Sequence, residues 1–306
     1  MDDRSDEFLK GKKQGMFETL SIIKSVITGE EPEYNLISDH MSIARSQQIV
    51  HTARSIFILR DALSKTTRQG IYNLNEAIAE VTGAPTIPQA AKEYLDLQPN
   101  KIFFQIGTND GDDDFRLLVE SYNPQKTFLV EPWAQLYSKI HESYTGKDYE
   151  LIEGIIHDKD DDSALIHVHE SNYGHSSLVP MATCPLSSIT PVTVNAYNFN
   201  SVCADHNITE IELLMIDTEG YDFIILNSID FNKIKVQNII FENFNFDTET
   251  CYNNYKERDL LGITGRKNIV KKMSELNYTL TEFKDNITGE LTGNAYFKLR
   301  GDEVVD

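Results

Sequence analysis

The chain has 306 residues, 40% apolar and 25% charged, the composition of a globular protein with room for one large domain or two small ones. Its 48 acidic and 28 basic residues leave a formal charge of −20, which counts against nucleic acid and anionic membranes as partners and favours neutral or cationic ligands. No run of 18 apolar residues exists to span a bilayer, and Cys184, Cys203 and Cys251 are too scattered for a disulfide framework or a CxxC zinc motif.

Residues 1–97 read as a helical region. Phe17, Leu20, Ile23, Val26 and Ile27 fall on one stripe. Ile49, Ala53, Ile56, Phe57 and Leu63 suggest a second helix, and Ile71, Leu74, Ala77, Ile78 and Val81 a third. Gly29 to Pro32 separates the first two, Thr82 to Pro85 ends the third, and a short helix from Pro88 to Leu97 leads onward. No chemical motif stands out here, so the region is expected to cap the active-site edge or to join copies of the chain into a homo-oligomer. The charged start, MDDRSDEFLKGKK, lacks the apolar core of a secretion signal, and a cytoplasmic protein is expected.

Residues 98–306 change to α/β alternation. Strands are expected at 102–106, 127–131, 149–153, 164–168, 211–217, 236–242, 278–283 and 294–299, and helices at 112–121, 133–144, 195–206, 220–227 and 265–276. KDNITGELTG, between the last two strands, reads as a hairpin turn. The stretch from Lys101 to Glu131 organises the rest: strand, glycine turn, helix, strand, acidic residue, the layout of a nucleotide-binding half of a doubly wound sheet. Gly107 and Gly111 allow a sharp turn and close approach of a ligand, and Glu131 stands where a carboxylate can accept two hydrogen bonds from a ribose diol.

The turn reads G-x-N-x-G, not the dinucleotide G-x-G-x-x-G, and Asp112, Asp113 and Asp114 follow it. Three negative charges at a helix start satisfy its dipole and repel a pyrophosphate. A ligand with ribose, no phosphate and a positive centre fits better, and S-adenosyl-methionine is such a ligand. The missing third glycine and the aspartates argue against a nicotinamide oxidoreductase.

A second constellation, ELLMIDTEGYDF at 212–223, is an apolar strand ending in Asp217, Thr218, Glu219 and Gly220. The strand from Val236 ends on Glu242 and Asn243. Strand carboxyl ends share one edge of an open sheet, so Asp217, Glu219 and Glu242 are expected to converge there with Gly107 and Glu131. Converging carboxylates repel each other, which suggests that they have work to do; Asp217 or Glu219 could instead cap the next helix. The loop Ser171 to Leu178 is polar and could close over a ligand. His167 and His169 alternate along a strand and, with His175, show no metal-ligand spacing.

These segments resemble a known family. QIGTNDG at 105–111, LVEPW at 129–133, HSSL at 175–178, PVTV at 191–194 and LLMIDTEGYDFIIL at 213–226 are similar to the successive motifs of FkbM-type methyltransferases, over about residues 100–300. The resemblance implies a class I, Rossmann-like methyltransferase sheet, mostly parallel with a C-terminal antiparallel hairpin. It also implies S-adenosyl-methionine as cofactor and O-methylation of a small-molecule, sugar or glycan hydroxyl. The family often has Asp where Gln105 stands and Lys where Met215 stands, which keeps open a catalytically degenerate binding or scaffold protein.

On this reading Gln105, Gly107, Asn109 and Gly111 shape the methionine and ribose pocket, Glu131 takes the ribose, and His157 and Asp158 flank the adenine. Asp217 is the expected general base or substrate orienter, with Glu219 next and Glu242 third. A divalent cation held by those three carboxylates is a second arrangement.

Overall fold

The computed structural model describes residues 85–159, 161–169, 176–178, 189–243, 262–284 and 291–301. The chain divides into two compact units, Met1–Ala84 and Pro85–Asp306. The three helices expected before residue 84 lie outside the described residues. Among the described residues no helix is long and apolar enough to cross a membrane.

The second unit begins with α1 (Ile87–Ala90), capped by Thr86 and continued by a π-helical turn, Ala91–Leu95. Then follow β1 (Ile102–Ile106), α2 (Asp114–Tyr122), β2 (Lys126–Glu131), α3 (Ala134–Ser143) and β3 (Tyr149–Glu153). Next come β4 (Ile155–His157), β5 (Ser163–His169), β6 (Ile189–Asn198), α4 (Phe199–Asp205) and β7 (Glu210–Ile216). The order closes with α5 (Asp222–Ser228), β8 (Lys235–Glu242), α6 (Gly262–Glu275), β9 (Tyr278–Lys284) and β10 (Leu291–Leu299).

Seven strands form one sheet in the order β3-β2-β1-β7-β8-β10-β9. The first five pair in parallel, while β10 runs antiparallel to both β8 and β9. This is the expected class I methyltransferase layout. β10 slots between β8 and β9, so the C-terminal hairpin is part of the main sheet.

The strand sequences explain the layering. Alternate residues of a strand point to opposite faces, and both faces here are covered, so the central strands are apolar throughout. Phe104, Ile106, Phe128, Val130, Leu214 and Ile216 pack on one face against Phe199 and Val202 of α4, Ile224 and Ile225 of α5 and Ile269 of α6. Phe103, Leu129, Leu213 and Met215 pack on the other, against Ala90 and Leu95, Phe115 and Leu118 of α2 and Ile140 of α3. Ile87, Ala90, Ala91, Leu95 and Leu97 thus belong to the core of the sheet unit.

The strand expected at 149–153 forms as β3; after Gly154 the chain continues as β4, which leaves for a second sheet ordered β4-β6-β5. One expectation changes. The expected helix 195–206 starts as strand; β6 runs to Asn198, and α4 keeps only Phe199–Asp205. Ala196, Tyr197 and Asn198 belong to β6, pairing in parallel with Ile155, Ile156 and His157 of β4, and this tertiary pairing overrides the helical reading. The small sheet buries Ile155, Ile166, Val168 and Ala196.

Candidate functional site

Strand order reverses between β1 and β7, because the chain first winds outward through β2 and β3 and returns to β7 on the other side of β1. Ligands of open α/β sheets bind at this switch, outside the carboxyl strand ends. A cavity of about 340 Å³ opens there. Its lining comes from the ends of β1, β2 and β7, from β4 and β5, and from Ser176, Ser177 and Leu178.

The turn after β1 is built by close backbone approach. Gly107 has φ +87°, and a Cβ on it would stand 1.8 Å from the Asp217 carbonyl oxygen. Gly107 and Thr108 both donate backbone N–H to the Val130 carbonyl at 3.1 Å, and the Asp217 N–H donates to the Ile106 carbonyl at 2.9 Å. These bonds tie the ends of β1, β2 and β7 together.

Glu131 ends β2 and is only 4% exposed. Its two carboxylate oxygens accept separate backbone N–H groups, from Asn109 at 2.8 Å and from Trp133 at 3.0 Å. Burial raises its pKa from 4.5 to about 7, against the lowering effect of those two bonds. Each oxygen therefore has a fixed direction and keeps acceptor capacity toward the cavity it lines. Trp133, Leu136, Ile155, Ile156 and Ile166 give that cavity an apolar wall.

At the other side, Asp217 and Glu219 line the cavity, and their carboxylates form a cluster with Glu242 in which the oxygens lie within 4.8 Å of one another. All three pKa values are raised, with desolvation the first cause. Asp217 rises to about 7, with the charge of Asp222 as its second cause, and Glu219 to about 8. Glu242 rises furthest, because Asp222, Asp217 and Glu219 all act on it, so it holds its proton at neutral pH. Asp217 is the exposed member of the cluster and the one that ionises most readily, so solvent offsets part of the desolvation that raises it. Three carboxylate oxygens at this spacing could also hold a hard divalent cation.

Of the residues singled out in the sequence, Gly107, Asn109, Glu131, Asp217 and Glu219 line this cavity. Glu242 joins through the carboxylate cluster. Four others do not line it. Gln105 is fully buried and donates from Nε2 to Asp113, the residue that caps α2. Gly111 faces α3, where a Cβ would stand 3.2 Å from the Tyr144 ring and 3.3 Å from Ile140. Asp158 accepts from the Tyr221 hydroxyl at 3.0 Å, and the His157 ring stacks on Tyr221 with centroids 5.8 Å apart. The pair therefore supports Tyr221, which itself lines the cavity. Met215 is buried in the core on the α2 and α3 face.

Sequence reasoning missed Asp222. It is 1% exposed and accepts from the Thr218 N–H at 3.3 Å, the Thr218 hydroxyl and the Glu242 N–H at 3.0 Å. Capping was expected of Asp217 or Glu219, yet Asp222 binds the turn. The available signal was its place in the first turn of α5, directly after the glycine-bearing turn.

A family model described as the methyltransferase FkbM domain matches residues 105–280. No curated protein matches the sequence. Similar solved structures include a precorrin-6y C5,15-methyltransferase from Geobacter metallireducens, at 10% identity and TM-score 0.35, covering 66% of this chain and 80% of that one. Another is the S-adenosyl-homocysteine-bound methyltransferase PaMTH1 of Podospora anserina, at 10% identity and TM-score 0.38, covering 85% of this chain and 97% of that one. TrmK of M. capricolum, in complex with S-adenosyl-homocysteine, is 12% identical with TM-score 0.36, covering 69% of this chain and 65% of that one.

Proposed function

We propose that this chain, which belongs to the methyltransferase FkbM domain family and takes S-adenosyl-methionine as methyl donor, passes the methyl to a hydroxyl of a sugar or glycan. The observation that carries the reading is the division of the cavity: a pre-oriented Glu131 on one side, Asp217 and Glu219 on the other. Glu131 suits the donor's ribose diol, which offers two O–H groups to a carboxylate held in a fixed direction. Asn109 and Gly107 suit the methionine part, and the apolar wall with Trp133 suits the adenine.

S-adenosyl-methionine supplies an electrophilic methyl on a sulfonium. The protein has to align an acceptor oxygen with that methyl and take the acceptor's proton. Asp217 is placed for the proton: it faces the cavity, and its pKa of about 7 makes its carboxylate a stronger base than an ordinary aspartate. As the new C–O bond forms, the C–S bond breaks, the hydroxyl proton passes to Asp217 and a neutral thioether leaves. Glu219, which stays protonated longer, can donate a hydrogen bond to the acceptor.

Gln105 and Met215 motivated a degenerate scaffold, but neither lines the cavity, so neither removes a charge from it. The test is methyl transfer from labelled S-adenosyl-methionine to a panel of neutral sugars and oligosaccharides. Label on a sugar oxygen supports the reading. Label confined to amines or other non-hydroxyl acceptors would move the chemistry to a different acceptor class.

A cation on Asp217, Glu219 and Glu242 is the second reading, favoured by their spacing. There the carboxylates would hold an ion that acidifies a diol. Transfer lost with a chelator and restored by magnesium supports it; transfer indifferent to chelation supports the bare carboxylate base.

A further inference from the structure

We propose that Ser177 and Asp222 are positioning residues that clamp the Asp217–Thr218–Glu219 turn from opposite sides and hold Glu219 in a left-handed backbone. The inference rests on reading Asp217 and Glu219 as the acceptor side of the cavity.

Glu219 has φ +55°, a region that side-chain-bearing residues enter at a cost, and Gly220 follows at +102°. Something must hold Glu219 there. From one side the Ser177 hydroxyl donates to the carbonyls of Thr218, at 3.2 Å, and Glu219, at 3.0 Å. Ser177 is 2% exposed and is itself fixed by two backbone bonds to His167 of β5, at 2.8 and 3.1 Å. From the other side Asp222 accepts the N–H and the hydroxyl of Thr218, and its second oxygen accepts the N–H of Glu242. The small sheet, α5 and the end of β8 thus converge on three residues.

The consequence is directional. With its carbonyl held by Ser177 and its neighbour held by Asp222, Glu219 must present its side chain beside Asp217 in the cavity. A glycine would meet the backbone demand more cheaply. A glutamate there means that the carboxyl is worth the strain. On the donor side the partners of Glu131 are the Asn109 and Trp133 amides.

The test is native-state amide exchange on the full chain, read at the Thr218 N–H. Ser177→Ala and Thr218→Val should each speed exchange about tenfold, the effect of one hydrogen bond lost. Thr218→Ser keeps the hydroxyl and should exchange like wild type. Glu219→Gly added to Ser177→Ala should restore protection, because glycine carries no left-handed penalty. Calorimetry with S-adenosyl-homocysteine is run on the wild type, where it tests the methyl-transfer reading and not the clamp. Unchanged exchange in Ser177→Ala and Thr218→Val, or Thr218→Ser exchanging as fast as Thr218→Val, would overturn the clamp. If Ser177→Ala does not fold, the Thr218→Val and Thr218→Ser pair decides. Failure of the wild type to bind S-adenosyl-homocysteine would sink the methyl-transfer reading and leave the exchange result to judge the clamp.

Discussion

Replacing Glu131 by glutamine probes the donor side with almost no change in shape. The wild-type carboxylate accepts the Asn109 and Trp133 amides on separate oxygens. Glutamine keeps one acceptor and points its own NH₂ at the other amide, leaving a buried donor unpaired at a cost of about 1–3 kcal/mol. Charge acts the other way. Because the folded pKa of Glu131 is raised from 4.5 to about 7, its ionisation favours the unfolded chain. Its stabilising contribution is full below 4.5 and lost as pH rises through about 7, a swing of about 3 kcal/mol. Glutamine does not titrate. Glu131→Gln should therefore melt below wild type near about pH 5 and close the gap near about pH 8. Donor binding should not recover in the same way. Losing one charge-assisted bond to a ribose hydroxyl costs about 1.5–3 kcal/mol, so S-adenosyl-homocysteine should bind about 10- to 150-fold more weakly in calorimetry near about pH 8. Binding within about twofold of wild type would refute the assignment of Glu131 to the ribose.

Gly107→Ala puts a methyl 1.8 Å from the Asp217 carbonyl oxygen at φ +87° and should cost at least about 3 kcal/mol, seen as a large drop in denaturant midpoint. Asp217→Asn should keep donor affinity within about threefold and slow methyl transfer by roughly 10²- to 10⁴-fold, a loss of base rather than of binding. Wild-type transfer should rise with pH through about 7 as Asp217 loses its proton. The cofactor-free protein should melt at progressively lower temperature as pH is raised from about 4 to about 8, because the buried carboxyls of Glu131 and Asp222 both have raised folded pKa values.

What the sequence disclosed was local. The left-handed turn at Gly107 is written in glycine itself, and the carboxylates at 131, 217 and 242 end apolar runs that read as strands. Strand ends of a parallel sheet share one edge, so their meeting followed from topology. The small sheet was hidden because β5 and β6 are far apart in sequence, and the local trace of β4 leaving the main sheet is Gly154. A Cβ there would stand 2.6 Å from the Asn195 carbonyl oxygen. His157 and Asp158 were placed at the right edge, but Tyr221 comes between them and the cavity. Asp222 looked like an ordinary acid in a helix first turn; its bond to the Glu242 amide depends on β8 lying beside β7.

The central claim is that donor and acceptor meet between Glu131 and Asp217, and a crystal structure with S-adenosyl-homocysteine tests it most directly. The account predicts both ribose hydroxyls on the Glu131 carboxylate and the sulfur facing the space in front of Asp217. A ribose bound away from Glu131, or a sulfur turned away from Asp217 and Glu219, would contradict it.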